Sequence, residues 1–231
     1  MKKIAILTGA GMSVESGLST FRGGNGMWDE YPVEQVATIE GYVANPSLVL
    51  EFYNKRRREL LTKEPNMGHK LIADLQSEHR VTVITQNVDD LHERAGSRDV
   101  IHLHGELMKA CSTRAPHDPG QIVALTADAP DIELGDKAAD GSQLRPFIVW
   151  VGEAVPRIED AIRALSDIDV FIIVGTSLNV YPAAGLLNYV PSGVPVFLVD
   201  PNDVDVRGVR RVTAIKKGAS EGLKEIVEKY L

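Results

Sequence analysis

The sequence predicts an α/β fold: a parallel β-sheet with helices on both faces, into which a smaller module is inserted. Short runs rich in Val and Ile alternate with helical patterns, as parallel strands joined by crossover helices do. Nearly all the runs are apolar along their length, as strands buried on both faces should be. Two stretches break the alternation: residues 18–65 read as helical, and residues 109–145 are rich in Pro, Gly and Asp without clear periodicity. Loops that long are usually functional, so both are assigned to the module.

Strands are expected at residues 3–8, 81–85, 100–103, 170–175, 196–199 and 213–216, and core helices at 68–76, 157–165, 183–189 and 221–230. Within the module, Asn45 as a cap and Pro46 at the first helical position start a further helix that runs towards Leu61. The 231 residues suffice for one compact domain, with the core taking roughly 1–17, 66–104 and 146–231 and the module roughly 18–65 and 105–145.

Composition narrows the function classes. The net charge is −7 and the only dense basic run is Lys55 to Arg58, which argues against a general nucleic-acid surface. A lone cysteine, Cys111, excludes an internal disulfide and suits a reducing cytoplasm. The apolar run 4–7 behind Lys2 and Lys3 is too short for a signal peptide, and no segment is apolar enough to span a membrane. A cytoplasmic location is expected, while nothing in the sequence sets the oligomeric state.

The first strand breaks at Thr8 into Gly9, Ala10 and Gly11, followed by small and polar residues. Glycines admit close approach of an anion to the backbone, and a following helix N-terminus favours negative charge. Val14 occupies the third glycine position of the GxGxxG dinucleotide pattern, but the continuation through Ser13, Ser16, Gly17, Phe21, Arg22 and Gly23 is long and specific. After the second strand come Gln86, Asn87 and Asp89, at a strand end where open parallel sheets bind ligands. Polar turn formation and a helix cap are the simpler reading of that group.

His104 follows the third strand and precedes Gly105, so its ring can face a cleft; titrating near neutrality, it suits acid/base work. His102 lies two residues back on the same face, and a metal pair completed by His92 or Glu106 is a competing idea that no recognised ligand spacing supports. On the helix after Asn45, Val49, Phe52, Tyr53, Arg56 and Leu60 share one stripe, while Lys55 and Arg58 point away. Arg56 thus sits on the apolar side beside Tyr53, where the alternative to a functional role is snorkelling.

The pattern GAGxSxxSGxxxFRG, followed in order by TQNVDDL at 85–91, LHGE at 103–106, IVWVGE at 148–153 and GTS at 175–177, resembles the sirtuins, the NAD-dependent protein deacylases, across nearly the whole chain. The resemblance implies a Rossmann-like sheet and NAD as a co-substrate. It implies nucleotide contacts at Gly9, Ala10, Gly11, Ser13, Ser16, Gly17, Phe21, Arg22, Gln86, Gly175, Thr176, Ser177, Asp200 and Ala219. Asp200 with Asn202 would, in isolation, be an ordinary strand-end turn. By the same likeness Asn87 and Asp89 orient the nicotinamide ribose and the attacking group, and His104 is the general base.

The chemistry implied is attack of an acyl-lysine amide oxygen on the ribose as nicotinamide departs, where positioning matters more than basicity. Acyl transfer to the ribose then releases free lysine and O-acyl-ADP-ribose. Val149, Val151, Gly152 and Glu153 resemble the strand that pairs with a substrate peptide through its main chain, although Val151 replaces the usual aromatic residue. Tyr53 and Arg56, with Ala37, resemble the subgroup that accepts succinyl, malonyl or glutaryl lysine, because a guanidinium fork can hold a carboxylate. Most sirtuins hold the module with two CxxC pairs, whereas Cys111 and His117 here would make at most two ligands, so no zinc is expected. Pro116, Pro119 and Pro130 would then shape a module held by packing and turns. The rival classes are an NAD(P)-linked oxidoreductase, a non-enzymatic nucleotide sensor, and an NAD-consuming mono-ADP-ribosyltransferase or glycohydrolase.

Overall fold

A computed structural model describes residues 1–19, 31–206 and 212–231. Its core is a six-stranded, all-parallel sheet built from β1 (Lys3–Thr8), β2 (Arg80–Thr85), β3 (Val100–His102), β7 (Val170–Val174), β8 (Val196–Val199) and β9 (Val212–Ile215), in the order β3-β2-β1-β7-β8-β9. That is the doubly wound arrangement, with the chain reversing its direction of progress between β1 and β7. Register is tight at the centre, where Thr8 pairs with Thr85 on one side and Val174 on the other.

Both faces of the sheet are buried, which explains the uninterrupted apolar runs. On one face Ile4, Ile6, Val83 and Ile172 pack against Ile72 and Leu75 of α4 (Met67–Leu75) and Leu223 and Ile226 of α7 (Ala219–Tyr230). On the other, Leu7, Ile84, Phe171 and Leu198 meet Ala161 and Leu165 of α6 (Ile158–Leu165). The segment Ala183–Tyr189 packs on that face too, as a 3₁₀ rather than an α-helix. A short helix, α5 (Leu91–Arg94), follows β2. Among the described residues no helix is long and apolar enough to cross a membrane.

The module has two parts. Its helices are α1 (Val33–Val36), α2 (Ile39–Ala44) and α3 (Pro46–Leu60), the last capped by the Asn45 side chain, which accepts from the Leu48 amide at 3.1 Å. The rest is a three-stranded antiparallel sheet of β4 (Gly105–Ser112), β5 (Ile122–Ala124) and β6 (Leu144–Ile148), ordered β5-β4-β6. The aperiodic stretch 109–145 therefore contributes parts of all three strands. They escape detection because β5 is three residues long and largely exposed, while β4 mixes buried and half-buried positions without a clean alternation.

Arg57 ties the two parts together. Its neighbours Lys55 and Arg58 are exposed as the stripe requires, but Arg57 itself is fully buried. The guanidinium donates to the Pro130 carbonyl, to the Leu107 carbonyl at 3.4 Å and to the Asn54 side-chain oxygen. Asn54 in turn donates to the Ile132 carbonyl at 3.1 Å and accepts from the Ile132 amide at 3.0 Å. Burial lowers the Arg57 pKa to about 10, so the side chain stays charged at neutral pH. Its charge is solvated by backbone carbonyls of the 130–132 segment and β4, and Pro130 matters as an acceptor as much as a turn residue.

Arg57→Met would orphan buried carbonyls at about 1–3 kcal/mol each. Its urea-derived unfolding free energy should fall by about 2–4 kcal/mol on that basis, with Arg57→Lys recovering only part because an ammonium cannot reproduce the fork. An unchanged midpoint in Arg57→Met would mean that the clamp contributes nothing.

Candidate active site

The site forms where the loops after β1, β2 and β7 meet, at the reversal point of the sheet. Gly9–Gly11 lead into a 3₁₀ helix, Ala10–Ser16, that ends at Gly17 with φ of 85°. The Gly9 amide donates to Val174 O at 3.0 Å and the Gly11 amide to Gly175 O at 2.9 Å. A Cβ on Gly9 would lie 2.7 Å from both Gly175 O and Thr176 Cβ, and one on Gly11 would lie 2.7 Å from Gly175 Cα. The glycines thus first permit the loop to lie against the end of β7. Val14, at the third glycine position of the dinucleotide pattern, is half exposed and meets no strand that would demand a glycine.

Polar side chains then knit the three loops. Asn87 donates to Gly9 O at 3.0 Å and to Ser13 Oγ at 3.3 Å, and its amide donates to Thr85 Oγ1 at 3.0 Å. Ser13 Oγ donates to Asp89 Oδ2 at 2.9 Å, while Asp89 Oδ1 accepts from the Leu91 amide at 3.2 Å. Burial pushes the Asp89 carboxyl above the usual carboxylate range, with the Ser13 bond opposing. Gln86 donates to Thr176 Oγ1 at 2.8 Å, joining β2 to β7. Asp89 makes the expected turn through its bond to the Leu91 amide, while the cap position of α5 falls on Asp90, whose side chain makes no capping bond; Asp89 also lies on the cleft wall.

His104 is partly buried, and its Nδ1 lies 3.1 Å from the Gln86 carbonyl. A carbonyl only accepts, so Nδ1 carries the hydrogen and Nε2 is left with the lone pair a base needs. Burial lowers the imidazole pKa from its ordinary value, and the bond to Gln86 opposes this weakly. His102 is engaged at both nitrogens: Nδ1 on Asn87 O at 3.0 Å and Nε2 on Glu93 Oε1 at 2.7 Å. Despite desolvation, Glu93 raises its pKa, so it is an ion-pair partner with no nitrogen to spare for a metal. His92 is fully buried, with Nε2 3.0 Å from Thr8 Oγ1 and its ring 4.8 Å from that of His69, and Glu106 pairs with Lys109 at 2.7 Å.

The remaining expected residues fall as follows. Arg56 lines one cleft with Ala10, Ser13, Asn87 and Asp89, its guanidinium carbon 5.9 Å from the Tyr53 ring centroid. The Tyr53 hydroxyl is buried and accepts from Trp150 Nε1 at 3.1 Å. Ser16 Oγ accepts from Asn66 at 3.1 Å, Ser177 is exposed, and Ala219 opens α7. Asp200 accepts from the Asn202 amide at 2.8 Å, the strand-end turn that the sequence alone suggested. Phe21 and Arg22 lie outside the described residues. The Val149 amide donates to His104 O and the Val151 amide to Ala37 O, both at 2.9 Å, and Gly152 has φ of 90°. Glu153 is held in a fork by Arg145 at 2.8 and 3.0 Å. Arg145 went unnoticed in the sequence because it stands in the aperiodic stretch, and Trp150 because its indole partner lies on a distant helix.

Residues 9–182 match the Sir2 family. An NAD-dependent protein deacylase of Bacteroides thetaiotaomicron is 59% identical over 226 residues, covering 98% of this chain and 97% of that protein. A mutant Sir2 homologue in complex with ADP-ribose superposes with a TM-score of 0.88 at 36% identity, covering 98% of this chain and 91% of the other. A Sir2 homologue bound to NAD gives 0.84 at 35% identity, covering 98% and 89%. The chain belongs to the Sir2 family, and its fold and enzyme class are those of the NAD-dependent deacylases.

The donor set suits NAD: backbone amides and hydroxyls of the glycine loop, with Gln86, Asn87 and Thr176 converging at the carboxyl ends of three strands, supply hydrogen bonds to hydroxyls and phosphates. Zinc does not fit the residues present. Cys111 is fully buried beside Pro146 O, with burial pushing its thiol up to about 11, while His117 is exposed. Among the described residues no three His, Cys, Asp or Glu side chains are grouped to hold a metal.

Proposed function

We propose that this deacylase removes succinyl, malonyl and glutaryl groups from protein lysines, takes acetyl groups less well, and releases nicotinamide and O-acyl-ADP-ribose. The observation that carries the reading is Arg56 on the wall of the cleft that also holds Asn87 and Asp89. A cation facing the reacting end of the site suits an acyl chain that ends in a carboxylate, which a guanidinium can hold bidentately. Burial lowers the Arg56 pKa, while Tyr53 and Asp89 beside it favour the charged form. The cytoplasm, where a single thiol stays reduced, is the proposed place of action, and the acidic chain is not proposed to bind nucleic acid.

In this reading the glycine loop with Ser13 and Ser16 holds the diphosphate side, Gly175 to Ser177, Asp200 and Ala219 the adenosine side, and Gln86, Asn87 and Asp89 the nicotinamide ribose. Bound NAD supplies an electrophilic ribose carbon whose leaving group is nicotinamide. Asn87 is fixed by Gly9 and Ser13, so its carbonyl end has a defined direction for orienting a nucleophile. His104, anchored through Nδ1–H, presents Nε2 to take a proton from a ribose hydroxyl. Main-chain groups of Val149 to Glu153, beside Ala37, receive the peptide.

His104→Ala should abolish deacylation while leaving NAD affinity largely intact. Because the base acts when neutral and its pKa is lowered, activity persists as pH falls through the ordinary histidine value, and the acidic limb of kcat/KM should lie below pH of about 6.5. Near wild-type turnover in the variant, or a limb above that value, would remove His104 from the role.

Arg56→Met removes a charge-assisted fork and leaves a carboxylate unpaired, a loss of about 2 to 5 kcal/mol. That corresponds to a fall of roughly 30-fold to several-thousand-fold in kcat/KM on a succinyl-lysine peptide. Acetyl-lysine, without a carboxylate, should lose far less or gain. Equal losses on the two peptides would make Arg56 structural and end the acidic-acyl reading.

A further inference from the structure

The hydroxyl of Tyr53 is oriented by a chain of buried groups that begins on β6. Arg145 places its guanidinium 3.8 Å from the centre of the Trp150 ring and grips Glu153 with both nitrogens at 2.8 and 3.0 Å. It also donates to the Ile148 carbonyl at 2.9 Å, while Glu153 accepts from the Trp150 amide at 2.8 Å. The indole is therefore fixed at its backbone and its face by a salt bridge that is itself buried. Its remaining edge points Nε1–H at Tyr53 Oη, 3.1 Å away.

An indole nitrogen only donates, so the phenol oxygen must accept. The single Tyr53 hydrogen is consequently available to donate elsewhere, and burial, which raises the phenol pKa, keeps that hydrogen in place. Arg56 lies over the same ring. With the acceptor side of the oxygen taken, Tyr53 is a committed donor beside a cation, a combination that suits an anion and offers nothing extra to a neutral methyl.

We infer that Trp150 is a specificity-determining positioning residue: held by the Arg145–Glu153 pair, it commits the Tyr53 hydroxyl to donating and so biases the site towards acyl groups that carry a carboxylate. The inference rests on the acidic-acyl reading above. It also gives the pair a cost in isolation, because Tyr53→Phe alone strands a buried indole donor.

Trp150→Phe keeps an aromatic face for Arg145 and deletes only the donor. KM for a succinyl-lysine peptide, relative to KM for its acetyl counterpart, should rise by about tenfold, the scale of a hydrogen bond to a charged group, with the kcat ratio changed little. In a Tyr53→Phe background the same substitution should leave the KM ratio unmoved and raise thermal stability, since the stranded donor is gone. An unchanged KM ratio in Trp150→Phe, or an additive effect in the double variant, overturns the inference. Should Trp150→Phe not fold, the indole N–H resonance of Trp150 in the wild-type protein decides: it should shift on titration with succinyl peptide and not with acetyl peptide, and equal responses overturn the inference. Arg56→Met separates the two levels. If it too leaves the succinyl-to-acetyl KM ratio unchanged, the acidic-acyl reading has failed; if it raises that ratio while Trp150→Phe does not, only the role of Trp150 has.

Discussion

The contact between the loop after β1 and the end of β7 is the constraint on which the site depends. Gly9 and Gly11 lie so close to Gly175 that no side chain fits at either position. Their amides are paired with Val174 and Gly175 carbonyls, which locks the loop onto the neighbouring strand. Asn87 then reads that locked loop through Gly9 O and Ser13 Oγ, and Ser13 passes the constraint to Asp89. A shift of one strand against another would therefore be felt at each of these polar groups. Positioning of this kind is what a reaction with a weak amide nucleophile requires.

Away from the glycine loop, buried charge is managed in three separate ways. Arg57 is solvated by backbone carbonyls, Arg145 is neutralised by Glu153, and His102 is drawn towards the charged form by Glu93. Each arrangement ties one element to a neighbouring segment. Arg57 joins α3 to the loop before β6, Arg145 fixes the turn after β6 beside the cleft, and His102 links β3 to α5 beneath Asn87. Buried pairs of this kind are weak sources of net stability but are costly to break. In the module, Arg57 and Arg145 hold the 130–132 segment and the turn after β6 in place.

The core was legible because its strands are covered on both faces. Four or five consecutive apolar residues, mostly Val, Ile, Leu and Phe, mark β7 and β8, and the expected ends at 85, 175 and 199 fall within a residue of those observed. The loops that follow such strands are legible in turn, which is how Asn87, Asp89 and His104 could be named. The antiparallel sheet was not, since its strands are short, partly exposed and paired across long connections. Arg57 was hidden for a different reason. Four consecutive basic residues look like a solvated face, and only the approach of Pro130 and Ile132 makes one of them internal. The indole of Trp150 stood in a motif whose main chain drew attention, while its partner Tyr53 lies 97 positions away.

The most direct measurement is mass spectrometry of matched succinyl- and acetyl-lysine peptides incubated with the protein, with and without NAD. The succinyl mass should be lost only when NAD is present, accompanied by nicotinamide and O-succinyl-ADP-ribose, and the acetyl mass should be lost more slowly. Nicotinamide released while both peptides stay intact, or deacylation that proceeds equally without NAD, would contradict it.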